Sequence, residues 1–190
     1  MKTLIVKAQL VVFAAFMLMS IKAHAAAIAE WPGEFTGEKQ GANGWWYLYS
    51  AGKEYMPSET GNQMDTNTDR YYSSAKTGSA IWYIGTMLPG LSGNPVLRCV
   101  SQSTVAVTIK GTIQNNNVNK NKDADGWTFF IMINGVEKWN KKIESDDAKS
   151  YPFEFNSELK SGDKIDFLLD RGANKWFDEA IVKIKIETKE

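Results

Sequence analysis

Histidine and cysteine are nearly missing from this chain. Its 190 residues include one of each, His24 and Cys99. A lone cysteine can form no disulfide within one chain, and it rules out a paired-cysteine redox motif and a cysteine zinc cluster. His24 falls in a leader expected to be removed, so the mature chain has no imidazole for a catalytic triad, a proton shuttle or a zinc site. Proline is sparse, with five residues and no Pro-rich linker. A dominant charge is absent too: 22 basic residues face 22 acidic ones, and loss of Lys2, Lys7 and Lys22 with the leader leaves a slight acidic excess. Such a chain has no electrostatic handle on phosphate backbones or anionic lipid, so neither nucleic acid nor a membrane surface is an expected partner.

The leader is read from residues 1–25. Lys2 and Lys7 give a positive start, residues 10–19 are almost wholly apolar, and Ala23-His24-Ala25 has the small-x-small pattern of a signal peptidase site. Only 14 residues separate Lys7 from Lys22, fewer than the ~20 that span a hydrocarbon core. An export signal cut after Ala25 is therefore expected rather than an anchor. No cysteine follows the apolar stretch, which argues against a lipid anchor. The product is expected in the periplasm or outside the cell, with residues 26–190 forming one domain.

What is present is a series of short runs rich in β-branched and aromatic residues, separated by Gly, Asn, Asp and Ser. In 105–113, Val105, Val107, Ile109 and Ile113 point one way, and Ala106, Thr108, Lys110 and Thr112 the other, the period of a half-buried strand. Ile165, Phe167 and Leu169 repeat the pattern, as do Val182, Ile184 and Ile186. In 127–133 both faces are apolar, which predicts a central strand, and Asn134-Gly135 predicts a hairpin into 136–139. Further strands are expected at 45–49, 81–84, 96–100 and 151–155. About nine strands with no helical stripe predict an all-β antiparallel sandwich, a jelly roll being the expected topology. Residues 58–69 and 114–126 are polar and are expected to be loops.

The order of motifs adds to this reading. Phe35, Gln40-Gly41, Trp45 with Tyr47 and Tyr49, Pro89-Gly90, Val96-Leu97-Arg98, the 105–113 strand, Asp125-Gly126, Ile133-Asn134-Gly135 and the Gly162-to-Phe167 run follow one another over most of the mature chain. The series resembles the jelly-roll, carbohydrate-binding-type modules of secreted bacterial proteins. The resemblance implies a β-sandwich and glycan binding, without naming the sugar. The module is expected to stand alone, with no catalytic partner, and the Asn-rich 114–126 stretch is longer than the resemblance leads one to expect.

Flat rings stacked on the C–H face of a pyranose grip a neutral sugar without stripping its hydroxyls of water, so aromatics are the first candidates. The chain has 7 Trp, 7 Tyr and 9 Phe. Rings of this size also fill cores, each burying roughly 150–250 Å². Trp45, Tyr47 and Tyr49 share one strand face and are assigned to the core, whereas Trp46 on the opposite face is a ligand candidate. Tyr71, Tyr72, Trp82, Trp139 and Trp176 border loops and join it, with Trp82 and Trp176 preferred. Arg98 and Arg171, the latter in the loop before Trp176, could bond an acidic sugar in bidentate fashion, though a solvated salt bridge is the simpler role for each. Cys99 is expected to be a small buried hydrophobe.

Calcium is the one cofactor the residues leave open. Asn121, Asp123 and Asp125, followed by Gly126, have the spacing of alternate oxygen ligands, but Met132 stands where an EF-hand has its bidentate Glu. A hairpin turn held by its own Asx hydrogen bonds is the plainer reading. For glycoside hydrolysis two carboxylates suffice, at ~5 Å or up to ~9.5 Å. Asp166 and Asp170 lie too far apart along one strand, while Asp163 and Asp178 could meet across loops. Arg70-Tyr71-Tyr72 is the only cluster suggesting a lyase. The expected function is thus an exported, non-catalytic polysaccharide- or oligosaccharide-binding protein. A protein-interaction β-sandwich and a polysaccharide lyase or hydrolase are its alternatives.

Overall fold

The computed structural model describes residues 26–37, 39–51, 63–67, 70–73, 78–91, 93–120, 124–173 and 178–189. The expected leader lies outside them, as do Asn121, Asp123 and Trp176. Thirteen strands are present: β1 (Ala27–Trp31), β2 (Trp45–Ala51), β3 (Asp65–Asn67), β4 (Arg70–Tyr72), β5 (Ala80–Trp82), β6 (Thr86–Leu88), β7 (Gly93–Val100), β8 (Val105–Asn115), β9 (Trp127–Ile133), β10 (Val136–Ile143), β11 (Ser150–Leu159), β12 (Lys164–Asp170) and β13 (Ala180–Thr188). A single 3₁₀ turn, Ala42–Gly44, precedes β2.

The pairing is nested. The β9–β10 hairpin forms the tip, and outward from it β8 pairs with β11, β7 with β12 and β6 with β13, all antiparallel. A ribbon of nested pairs folded over on itself is a jelly roll. The fold yields two sheets, one ordered β10-β9-β12-β7-β2 and the other β11-β8-β13-β6-β5-β4-β3 with β1 also paired to β13.

Period-two patterning explains the core between them. Val107, Ile109 and Ile113 of β8, and Val182, Ile184 and Ile186 of β13, meet Trp127, Phe129 and Ile131 of β9 and Ile165, Phe167 and Leu169 of β12. Trp45, Tyr47 and Cys99 are buried among them, as expected. Phe153 of β11 needs the glycine opposite it: a Cβ on Gly111 would sit 2.5 Å from the Phe153 ring and 2.0 Å from the Lys183 carbonyl oxygen. The double-faced β9 is central, between β10 and β12, and its Phe130 and Met132 join Leu48, Val96 and Leu168 on the outside of the five-stranded sheet.

The thirteen strands among the described residues exceed the expected nine or so because short pieces pair as well, β3, β4, β5 and β6 in succession and β1 and β6 with β13. β1, β3, β4 and β6 are three to five residues long and carry too few side chains to show a period. β3 lies inside the 58–69 stretch expected to be a loop, where pairing to β4 outweighs its polar composition. β8 likewise runs on to Asn115, which pairs with Ala180.

Candidate functional site

The outer face of the five-stranded sheet carries the most distinctive chemistry. Its register sets side chains in cross-strand rows: Leu48, Val96, Leu168 and Phe130 in one, and Trp46, Arg98, Asp166 and Met132 in the next. Arg98 and Asp166 are only 3% and 0% exposed. Arg98 Nε donates to Asp166 Oδ1 at 2.6 Å and Nη2 to Oδ2 at 3.0 Å. This is a buried two-bond pair, not the solvated bridge expected for Arg98. The fork geometry satisfies both carboxylate oxygens, which is what makes burial of two charges tolerable.

Beside the pair, Gly41, Trp46, Leu48, Gln63, Arg98, Val100 and Gln102 line a hollow of about 400 Å³. Trp46 is half-buried, and its indole N–H has no hydrogen-bond partner among the described residues. The ring is set by the Gln40-Gly41 motif. Gly41 has φ +77°, and a Cβ there would lie 2.8 Å from Trp46 Cζ2, so only glycine lets the backbone press against that indole. Gln40 clamps the start of β2: its Nε2 donates to the carbonyls of Tyr47 and Met64, and its Oε1 accepts from Tyr47 N. Gln102, exposed at the rim, donates from Nε2 to the Val100 carbonyl at 3.1 Å.

Of the aromatic ligand candidates within the described residues, Trp46 alone lines this hollow, beside Arg98 and Gly41. Trp82 and Tyr72 lie on the eight-stranded sheet, where the Arg70 guanidinium sits 4.5 Å from the Trp82 ring centroid and 5.9 Å from that of Tyr72. Tyr71 cannot hold a ligand at the surface: it is 0% exposed, stacks on Tyr47 at 3.8 Å and donates its hydroxyl to the Thr36 carbonyl. Neighbouring residues in a strand face opposite ways, so Tyr72 is out where Tyr71 is in. Trp139 is half-buried against the core, 5.4 Å from Phe153. Arg171 is half-buried, and its backbone N–H donates to Asn94 Oδ1.

The carboxylates separate as well. Asp163 accepts from Asn134 Nδ2 and Lys160 N, contacts that lower its pKa. It precedes β12, whereas Asp178 neighbours Asp170 at the other end of that strand, roughly 20 Å away. A catalytic pair of the two is excluded by this distance. Asp178 is fully buried, neither oxygen has a hydrogen-bond partner among the described residues, and burial, followed by the charge of Asp125, pushes it up to about 8 against the pull of Arg171. Asp125 accepts from Ala173 N at 2.7 Å, tying the loop before β9 to the loop after β12. Among the described residues no group of three His, Cys, Asp or Glu is placed to hold a metal ion.

No family model matches the chain, and no curated protein matches it. Carbohydrate-binding modules are among its structural neighbours. The tandem CBM51 modules of Sp3GH98, a family 98 glycoside hydrolase from Streptococcus pneumoniae SP3-BS71, are similar at a TM-score of 0.46 and 13% identity, covering 88% of this chain and 49% of theirs. This chain thus spans about half the length of that one. A carbohydrate-binding module of Cellvibrio mixtus lichenase 5A, solved with cellotriose, is similar at 0.36 and 10% identity, covering 87% of this chain and all of its own. Rabbit GITRL is similar at 0.36 and 13% identity, over 50% of this chain and 71% of that one. At this degree of similarity they decide neither ligand nor activity.

Sequence reasoning missed Gln63, Gln102 and the buried state of Arg98. Gln63 and Gln102 leave no local signal, since only the fold brings them together. Gln40-Gly41 ahead of two tryptophans did carry one.

Proposed function

We propose that this chain is an exported, non-catalytic polysaccharide-binding protein that takes sugar against Trp46. One observation carries the reading: a half-exposed indole stands in a hollow whose rim carries the amides of Gln63 and Gln102. A ring face for C–H stacking, with donors and acceptors for hydroxyls around it, is what a neutral glycan requires. The absence of catalysis is supported by the fate of the candidate groups. Asp166 is locked to Arg98, Asp163 and Asp178 sit at opposite ends of β12, and Tyr71 of the suggested lyase cluster is sealed in the core.

Isothermal titration against a glycan panel tests this, with Trp46→Ala and Trp82→Ala run beside wild type. Heat that disappears in Trp46→Ala alone supports it. Loss in Trp82→Ala alone would move the ligand to the Arg70 platform, where a guanidinium between two rings at the sheet edge suits an acidic or protein partner. Export is tested separately, by N-terminal sequencing of the protein recovered outside the cytoplasm, which should begin at Ala26.

A further inference from the structure

We propose that the Trp46 hollow admits only an uncharged stretch of glycan, about two rings long, and that Arg98 reads it as a donor whose charge Asp166 has already cancelled. The inference rests on the glycan reading above and narrows it to a substrate class.

Charge is the first argument. Among the described residues Arg98 is the only charged side chain lining the hollow, and both of its bonds to Asp166 are made within a nearly dry setting. A uronate or sulfate entering here would bring a second anion beside Asp166, with no second cation among the described lining residues to meet it. Unpaired anions are expelled from such places. A guanidinium has five N–H donors, and Asp166 occupies one on Nε and one on Nη2. The donors left over, with the indole N–H of Trp46 and the exposed amide of Gln102, match hydroxyl and ring oxygens rather than carboxylates.

Size is the second. The volume of about 400 Å³ sits near the lower end of the ~300–1,000 Å³ typical of small-ligand sites. Gly41 covers part of the indole, so the ring offers its remaining surface to a single sugar. A long chain would have to lie mostly outside.

Calorimetry with neutral oligosaccharides of one to six rings, beside uronate-containing and sulfated ones of equal length, reads both properties. The expected result is affinity that stops rising after about two rings, with acidic chains at least tenfold weaker at physiological salt. The double variant Arg98→Met/Asp166→Leu removes the pair without leaving an orphan charge. It should bind at least tenfold more weakly while keeping the wild-type circular dichroism, and Gln102→Ala supplies a weaker-binding variant that leaves the sheet alone. An acidic chain bound as tightly as its neutral counterpart, affinity that climbs steadily to six rings, or a double variant that binds like wild type would overturn the inference while leaving glycan binding in place. Failure of every glycan, neutral or acidic, would remove the parent reading as well.

Discussion

Arg98 on β7 and Asp166 on β12 close a two-bond ion pair on a sheet face whose next row is Leu48, Val96, Leu168 and Phe130. Removing one partner leaves a buried charge without its counterion, at a cost of about 3–5 kcal/mol. Asp166→Ala should therefore lower stability to urea by about that amount, while Arg98→Met/Asp166→Leu should lie within about 1 kcal/mol of wild type. Equal losses in the two variants would show that shape, not charge, holds this face together.

Asp178 gives the fold a pH dependence of unusual sign. In the folded chain it titrates near 8, against about 4 in an unfolded one. Between those values the folded state holds a proton that the unfolded state has released, so stability falls as pH rises from about 4 to about 8 and levels off above. Asp178→Asn cannot ionise. Its Tm should match wild type near pH 3, below the unfolded-state pKa, and exceed it increasingly up to pH 9; a wild-type Tm that does not fall relative to Asp178→Asn over this range contradicts the assignment.

Gly41 is predicted to act through Trp46. Gly41→Ala forces a β-carbon into the left-handed region at φ +77° and into the indole, costing about 1–3 kcal/mol. Tryptophan fluorescence should shift and glycan affinity should drop. Unchanged emission with unchanged affinity would show that the two residues are not coupled.

Gln40→Ala should open the edge of β2. Three hydrogen bonds to Tyr47 and Met64 are lost, and part-buried backbone groups left unpaired cost about 1–3 kcal/mol each. Hydrogen exchange at Tyr47 and Met64 should speed up well ahead of that in β8. Uniform exchange across both strands would argue against a local clamp.

Long strands were legible because alternation needs five or more residues to show itself: β8 and β13, each with one wet face, have eleven and nine, and β12, whose outer Asp166 and Leu168 are buried as well, has seven. β3, β4 and β6, three residues each, were not. The same alternation separated Trp46 from Trp45 and Tyr47 correctly. Applied to Tyr71 and Tyr72 it would have placed one inside and one out. What no local pattern could give is the hollow, since Gln63 and Gln102 meet Trp46 only through pairing across the sheet. The burial of Asp178 was hidden for the same reason. Carboxylates read as wet until the fold closes over them.

The indole N–H resonance of Trp46 reports on the central claim most directly. In a ¹⁵N-labelled chain, assigned with Trp46→Phe, titration with a neutral oligosaccharide should shift that resonance saturably while the Trp82 signal stays in place. A saturable shift at Trp82 with Trp46 unmoved would contradict the account.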